Sequence, residues 1–181
     1  MESRAKLFGH PIHQMLVVLP LGMLFGAVAF DLARILSGSG RYGEVAQALI
    51  GAGLIAAVFA APFGWIDWLA IPPYTRAKIV GRRHAIGNIA VLALFGVSWL
   101  MRRDAPASPS WTALSLSFAA GALSIVTAWL GGEMVSRLGV GVADGAHLNS
   151  PSSLSRRSER EGGPIHSRDV GGSSRHTPGR K

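Results

Sequence analysis

The chain has 181 residues, 49% of them hydrophobic and only 15% charged, where a soluble domain carries about 25% charged residues. It has no cysteine, which excludes disulfides, thiolate metal sites, cysteine nucleophiles and iron–sulfur ligation by this chain. The net charge of +8 comes from basic residues that flank apolar runs or lie in the C-terminal tail. That is the distribution of membrane topology, and no nucleic-acid partner is expected.

The first apolar run, about Ile12 to Ile35, is long enough to cross a bilayer, for which a helix needs ~20 residues. It is too long for a signal-peptide core, contains Pro20 and lacks a small-residue cleavage site, so it is expected to remain as a helix. A breaker-rich turn, "SGSGRYG" (Ser37–Gly43), leads to a second run from about Val45 to Ile66. The segment "IPPYTRAKIVGRR" (Ile71–Arg83) separates it from a shorter third run, about His84 to Leu100, and "RRDAPASPS" (Arg102–Ser110) precedes a fourth, about Trp111 to Leu130. Unsatisfied backbone is prohibitive in lipid and nothing alternates as barrel strands do, so all four runs read as helices. No lipidation signal is evident, since there is no cysteine and Gly does not follow Met1. The expected organisation is all-α: a four-span domain over 1–143, then a Ser/Gly/Arg-rich basic tail over 144–181. That tail is too polar to bury a core and is expected to be disordered. Its histidines, His147, His166 and His176, are scattered and make no metal tract.

Four spans place both termini on one face. That face collects Arg4, Lys6, Arg76, Lys78, Arg82, Arg83 and Arg137, seven basic residues, against four (Arg34, Arg41, Arg102, Arg103) on the other. The excess predicts a cytoplasmic location for both termini in a multi-pass inner (plasma) membrane protein. Small residues at four-residue spacing, Ala48, Ala52, Ala56, Ala60 and Gly64 in the second span and Ala120, Ser124, Ala128 and Gly132 in the fourth, suggest close helix packing. Spans one and three each begin with a histidine (His13, His84), and spans two and four are each followed by an acid (Asp67, Glu133). This is a weak internal echo of two parallel halves, with offsets that do not match.

All four helices carry a polar group to the same end: His10, His13 and Gln14 on the first, Asp67 on the second, His84 and Asn88 on the third, Glu133 on the fourth. Ionisable groups within a membrane are costly and usually functional. A rim of simple pairs is the plainer alternative: His10 capping the first helix, His84 with Asp67, and Glu133 with Arg137. Asp31 lies apart near the opposite end and is expected to pair with Arg34 or to accept from backbone amides at the start of the second helix.

Histidines on facing helices can ligate haem b as axial ligands, here His13 and His84, with Asp67 orienting them. His13, His84 and Asp67 could instead take a transition metal ion, or His84 could serve a proton path or a quinone headgroup. The candidate cluster is therefore His10, His13, Asp67, His84, Asn88 and Glu133. No enzymatic reaction follows from it. Two functions stay open: a redox-associated protein binding haem or a metal at this end, and a non-catalytic scaffold or partner subunit whose cluster is a hydrogen-bond network. A redox or membrane-protein partner and a homo-oligomer are open for either, and a transporter would need oligomerisation to make a path.

The segments "GHPIHQMLVVLPLGMLFGAVAFDL" (Gly9–Leu32), "FGWIDWLAIPPYTRAKIVGRRHAIGN" (Phe63–Asn88) and "WLGGEMVSRLGVGV" (Trp129–Val142) resemble, in that order, the bacterial membrane family catalogued as domain of unknown function 2231. The resemblance covers about Leu7 to Val142 and implies a four-helix inner-membrane protein without supplying an activity. Some members of that family carry a fused Rieske-type domain, which hints at electron transfer; this chain has no cysteines for one. The family's motif residues fall here on His10, His13, Pro20, Asp31, Asp67, His84, Asn88, Gly131, Gly132 and Glu133. Where the family often reads "HP" after "GHP", this chain reads "HQ", so that Gln14 adds a polar group.

Overall fold

The computed structural model describes residues 1–155; the expected tail beyond them, with His166 and His176, lies outside the described residues. Proline has no N–H, and its ring crowds the carbonyl four residues back. Pro20 accordingly divides the first crossing into a short α1 (Ile12–Leu16) and a longer α2 (Val18–Ser37). Val17 N still donates to His13 O at 2.9 Å, so the two run on as one span. Ahead of them, two-residue strands β1 (Lys6–Leu7) and β2 (His10–Pro11) pair antiparallel, a small exception to the all-α expectation.

Helix α3 (Gly40–Ala70) stops where Ile71 precedes Pro72 and Pro73. Thr75 caps α4 (Arg76–Met101), its Oγ1 accepting from Lys78 N at 3.2 Å. Ser110 caps α5 (Trp111–Ser136) in the same way, accepting from Ala113 N at 3.2 Å. Every span is longer than its apolar run. Hydropathy marks the stretch that meets hydrocarbon, whereas the helix continues into the polar zone until a cap or proline ends it. All four crossings, Ile12–Ser37, α3, α4 and α5, are long and apolar enough to span a membrane.

Neighbouring contacts run α2–α3, α3–α4, α4–α5 and α5–α2, so the helices close a square with α2 and α4 on one diagonal. The core gathers Leu24, Ala27, Ala46, Ile50, Val91, Phe95 and Ala120. The inward line of α3 is Gly43, Ala46, Ile50, Gly53, Ala57 and Ala60, and not the expected four-residue stripe: Ala48 and Ala52 face outward. At about 100° per residue, strict four-residue steps drift ~40° each time around the helix, and alternating steps of three and four stay on one face. On α5 likewise Ala128 and Gly132 are exposed while Ala113, Ser117, Ala120, Ser124 and Thr127 are buried.

These inward positions repeat. The buried residues of α2 are Pro20, Leu24, Ala27 and Asp31; 71 residues on stand Val91, Phe95, Ser98 and Arg102, all buried in or at the end of α4. A second constant shift, from Ala46 to Ala113, carries Ile50, Gly53, Ala57 and Ala60 onto Ser117, Ala120, Ser124 and Thr127. The bundle is thus two similar helical hairpins side by side. The first shift also takes His13 to His84, but the second takes Asp67 to Met134, so the histidine echo holds and the acidic one does not.

Asp31 shows how the halves lock. It pairs with Arg102, its counterpart across the diagonal, and not with Arg34 or with the start of the next helix. Arg102 Nη1 donates to Oδ1 at 2.7 Å and Nη2 to Oδ2 at 3.2 Å, with both side chains fully buried. Nη2 also reaches Ser98 Oγ (2.9 Å) and Ala113 O (3.3 Å). Arg34 instead donates from Nε to Ala107 O at 3.3 Å.

Candidate functional site

At the end of the bundle opposite Asp31, His13 and His84 are held alike. His13 Nδ1 lies 3.0 Å from Ala60 O, and His84 Nδ1 lies 2.8 Å from Thr127 O. A carbonyl only accepts, so Nδ1 carries the proton in each ring, and in the neutral imidazole Nε2 keeps the lone pair. Four residues beyond each carbonyl stands a glycine against the ring. A Cβ on Gly64 would lie 2.8 Å from His13 Cε1, and one on Gly131 would lie 3.1 Å from His84 Cε1. The absent side chain is what lets each imidazole lie against the neighbouring helix. Both rings are half-buried.

Their outer nitrogens differ. Asn88, one turn on along α4, donates from Nδ2 to His84 Nε2 at 3.0 Å. His13 Nε2 has no hydrogen-bond partner among the described residues. Val17 occupies the corresponding place one turn on and has nothing to donate.

The other expected members of the cluster are engaged elsewhere. Asp67 does not pair with His84: it accepts from Ser3 Oγ at 2.8 and 2.7 Å, from Arg4 N at 2.8 Å and from Ala5 N at 3.3 Å, tying the N-terminal segment to the end of α3. Glu133 pairs with Arg76 Nη2 at 2.5 Å, from the first turn of α4, and not with Arg137. The chain doubles back between α4 and α5, and that sets the first turn of α4 beside the last turn of α5, a pairing that spacing along one helix cannot foretell. His10 sits in β2 with Nε2 3.3 Å from Ser153 Oγ, and α1 receives no side-chain cap from it. Gln14 Nε2 donates to Val140 O at 3.5 Å, linking α1 to the segment after α5. Among the described residues no group of three His, Asp or Glu side chains is placed to hold a metal ion, so His13, His84 and Asp67 do not form a three-ligand set.

An apolar groove of about 550 Å³ runs down the outer seam between the first span and α3, lined by Leu16, Leu19, Ala52, Ile55, Ala56, Phe59 and Phe63. The outward alanines of α3 make its floor. From Ala52 to Phe63 the helix rises ~16 Å, about half of a ~30 Å hydrocarbon core. Along α3 the groove runs from mid-helix toward the histidine end. Leu16 follows His13 by one turn, and Phe63 precedes the Gly64 that seats its ring.

The family described as "Predicted membrane protein (DUF2231)" matches residues 9–144, the whole bundle with both histidine seats. The chain belongs to this family. It is a multi-pass integral membrane protein, and its bilayer is its solvent. No curated protein and no solved structure matches it.

The residues that the sequence pattern missed are the seats and partners of the named ones: Ala60 O, Gly64, Thr127 O and Gly131 for the rings, Ser3 for Asp67, Arg76 for Glu133. Only the glycines left a signal, since "FGW" and "LGG" stand near the end of each second helix.

Proposed function

We propose that this membrane protein is redox-associated and binds an isoprenoid hydroquinone at its histidine end, with His13 Nε2 as the acceptor for a ring hydroxyl and the groove holding the chain. The observation that carries this reading is His13 Nε2, which has no hydrogen-bond partner among the described residues, one turn before Leu16 in the lining of an apolar groove. The lone pair of an imidazole nitrogen accepts from a hydroxyl and gives nothing to a phospholipid phosphate, which needs donors. The basic residues gathered at the same end, Arg4, Lys6, Arg76, Lys78, Arg82, Arg83 and Arg137, support a plasma-membrane orientation with the site in the cytoplasmic leaflet.

A second reading, haem b with His13 and His84 as axial ligands, is favoured by the like anchoring of the two rings, because a ligating histidine commonly donates its other nitrogen to a carbonyl. It requires Asn88 to release His84 Nε2. A bare transition metal on His13, His84 and Asp67 has no such support, because Asp67 is already saturated with donors.

One preparation tests both. The protein is purified in mild detergent from quinone-containing membranes, its quinone content is measured per chain, and a reduced-minus-oxidised visible spectrum is taken. The expected result is about one quinone per chain, lost in His13→Ala and kept in His84→Ala. A quinone content no higher than that of the bulk lipid overturns the proposal, and a Soret band lost in both variants replaces it with the haem reading.

A further inference from the structure

The second hairpin offers the same seat a second time: His84 Nδ1 on Thr127 O, with its ring against Gly131. Two differences separate it from the first. The 71-residue shift takes Val17 to Asn88, whose amide occupies the acceptor that His13 leaves open. It also takes Leu16, which lines the groove, to Gly87, where a Cβ would lie only 2.5 Å from Thr127 Cγ2. There α4 and α5 are in direct contact, so the seam that is a groove in the first hairpin is closed in the second.

We propose that the second hairpin carries a latent copy of the His13 seat whose acceptor nitrogen is capped by Asn88, and that this cap, together with the closed seam, makes the protein single-sited. That the site takes a hydroquinone rests on the function proposed above; that Asn88 caps His84 does not. Asn88 acts through His84 and is a specificity-determining residue. Its amide donates to the one lone pair with which the imidazole can accept a ligand hydroxyl, and a neutral ring has no second one.

The test reads the two nitrogens directly in the full chain, using diethyl pyrocarbonate, which acylates an unprotonated imidazole nitrogen, with peptide mass spectrometry following each histidine. In the wild type His13 reacts faster than His84. Asn88→Val raises the His84 rate about fivefold, the equivalent of one net hydrogen bond, and leaves the His13 rate unchanged. Val17→Asn lowers the His13 rate by a similar factor. A His84 rate unmoved in Asn88→Val overturns the inference. So does a joint rise of both histidines, which marks a loosened bundle and not an uncapped nitrogen. Quinone content of the same samples separates the two proposals: if the rates change as stated while quinone content stays at the bulk-lipid level in every variant, the cap stands and the hydroquinone reading falls.

Discussion

Replacing Arg102 by leucine is expected to be among the most damaging single changes in the bundle, and replacing Asp31 by leucine at the same time is expected to undo most of the damage. Asp31 and Arg102 are both fully buried and joined through two N–H···O contacts at 2.7 and 3.2 Å. With Arg102 gone, the Asp31 carboxyl is left buried with no cation beside it, and breaking one side of a buried pair costs about 3–5 kcal/mol. For a chain of this size that corresponds to a melting point lower by roughly 10 °C. Removing both partners removes the stranded carboxyl as well, and well-packed apolar replacements of buried pairs come out neutral or stabilising. The assay is thermal unfolding in detergent followed by tryptophan fluorescence on wild type, Asp31→Leu, Arg102→Leu and the double variant. A double variant as unstable as the two single losses added together refutes the reasoning, because it means that the two side chains act independently. The charge exchange Asp31→Arg with Arg102→Asp extends the test. Since the two positions correspond across the hairpins, the exchange is expected to recover part of the stability. Recovery is incomplete because Ala27 stands where Ser98 supports the native arginine.

Gly64→Ala places a methyl 2.8 Å from the His13 ring and is expected to push the imidazole off Ala60 O at about 1–3 kcal/mol, the usual range for overpacking. Gly131→Ala, at 3.1 Å from His84, is expected to cost less, and melting temperatures of the two variants give the order. Asp67→Asn gives up a carboxylate that accepts from one hydroxyl and two amides. The expected consequence is faster proteolysis of residues 1–9 with the bundle itself intact, read by limited digestion and mass spectrometry. Glu2 is held below the usual carboxylate range, chiefly by its hydrogen bond with Lys6. A depressed carboxylate stabilises above its ordinary pKa and loses that contribution as the pH falls through the depressed value. Protection of the N-terminal segment is therefore expected to weaken below about pH 4, and less so in Glu2→Gln, as hydrogen exchange would register.

Four membrane-crossing helices, their order and the turns between them follow from the amino-acid sequence alone. The lengths of the apolar runs and the placement of Gly and Pro decide them, since lipid leaves a crossing backbone no option but to pair with itself. The sequence also determined that His13 and His84 share one end of the bundle, because alternate crossings start from the same face. Partnership was another matter. Asp31 had a plausible neighbour in Arg34, one turn away, and Glu133 in Arg137; the tertiary structure gave them Arg102 and Arg76 instead. Local spacing ranks only partners on the same helix, whereas contacts between helices depend on the rotation of each helix about its axis. That rotation is set by the three-and-four alternation of small residues such as Ala46, Gly53 and Ala60. The same rotation carried Gly64 and Gly131 under the two imidazoles. Sequence repetition hinted at two equal histidines; their unequal caps are also a matter of sequence, Asn88 standing one turn on from His84 and Val17 one turn on from His13, whereas the carbonyl and glycine that seat each ring depend on where two helices meet.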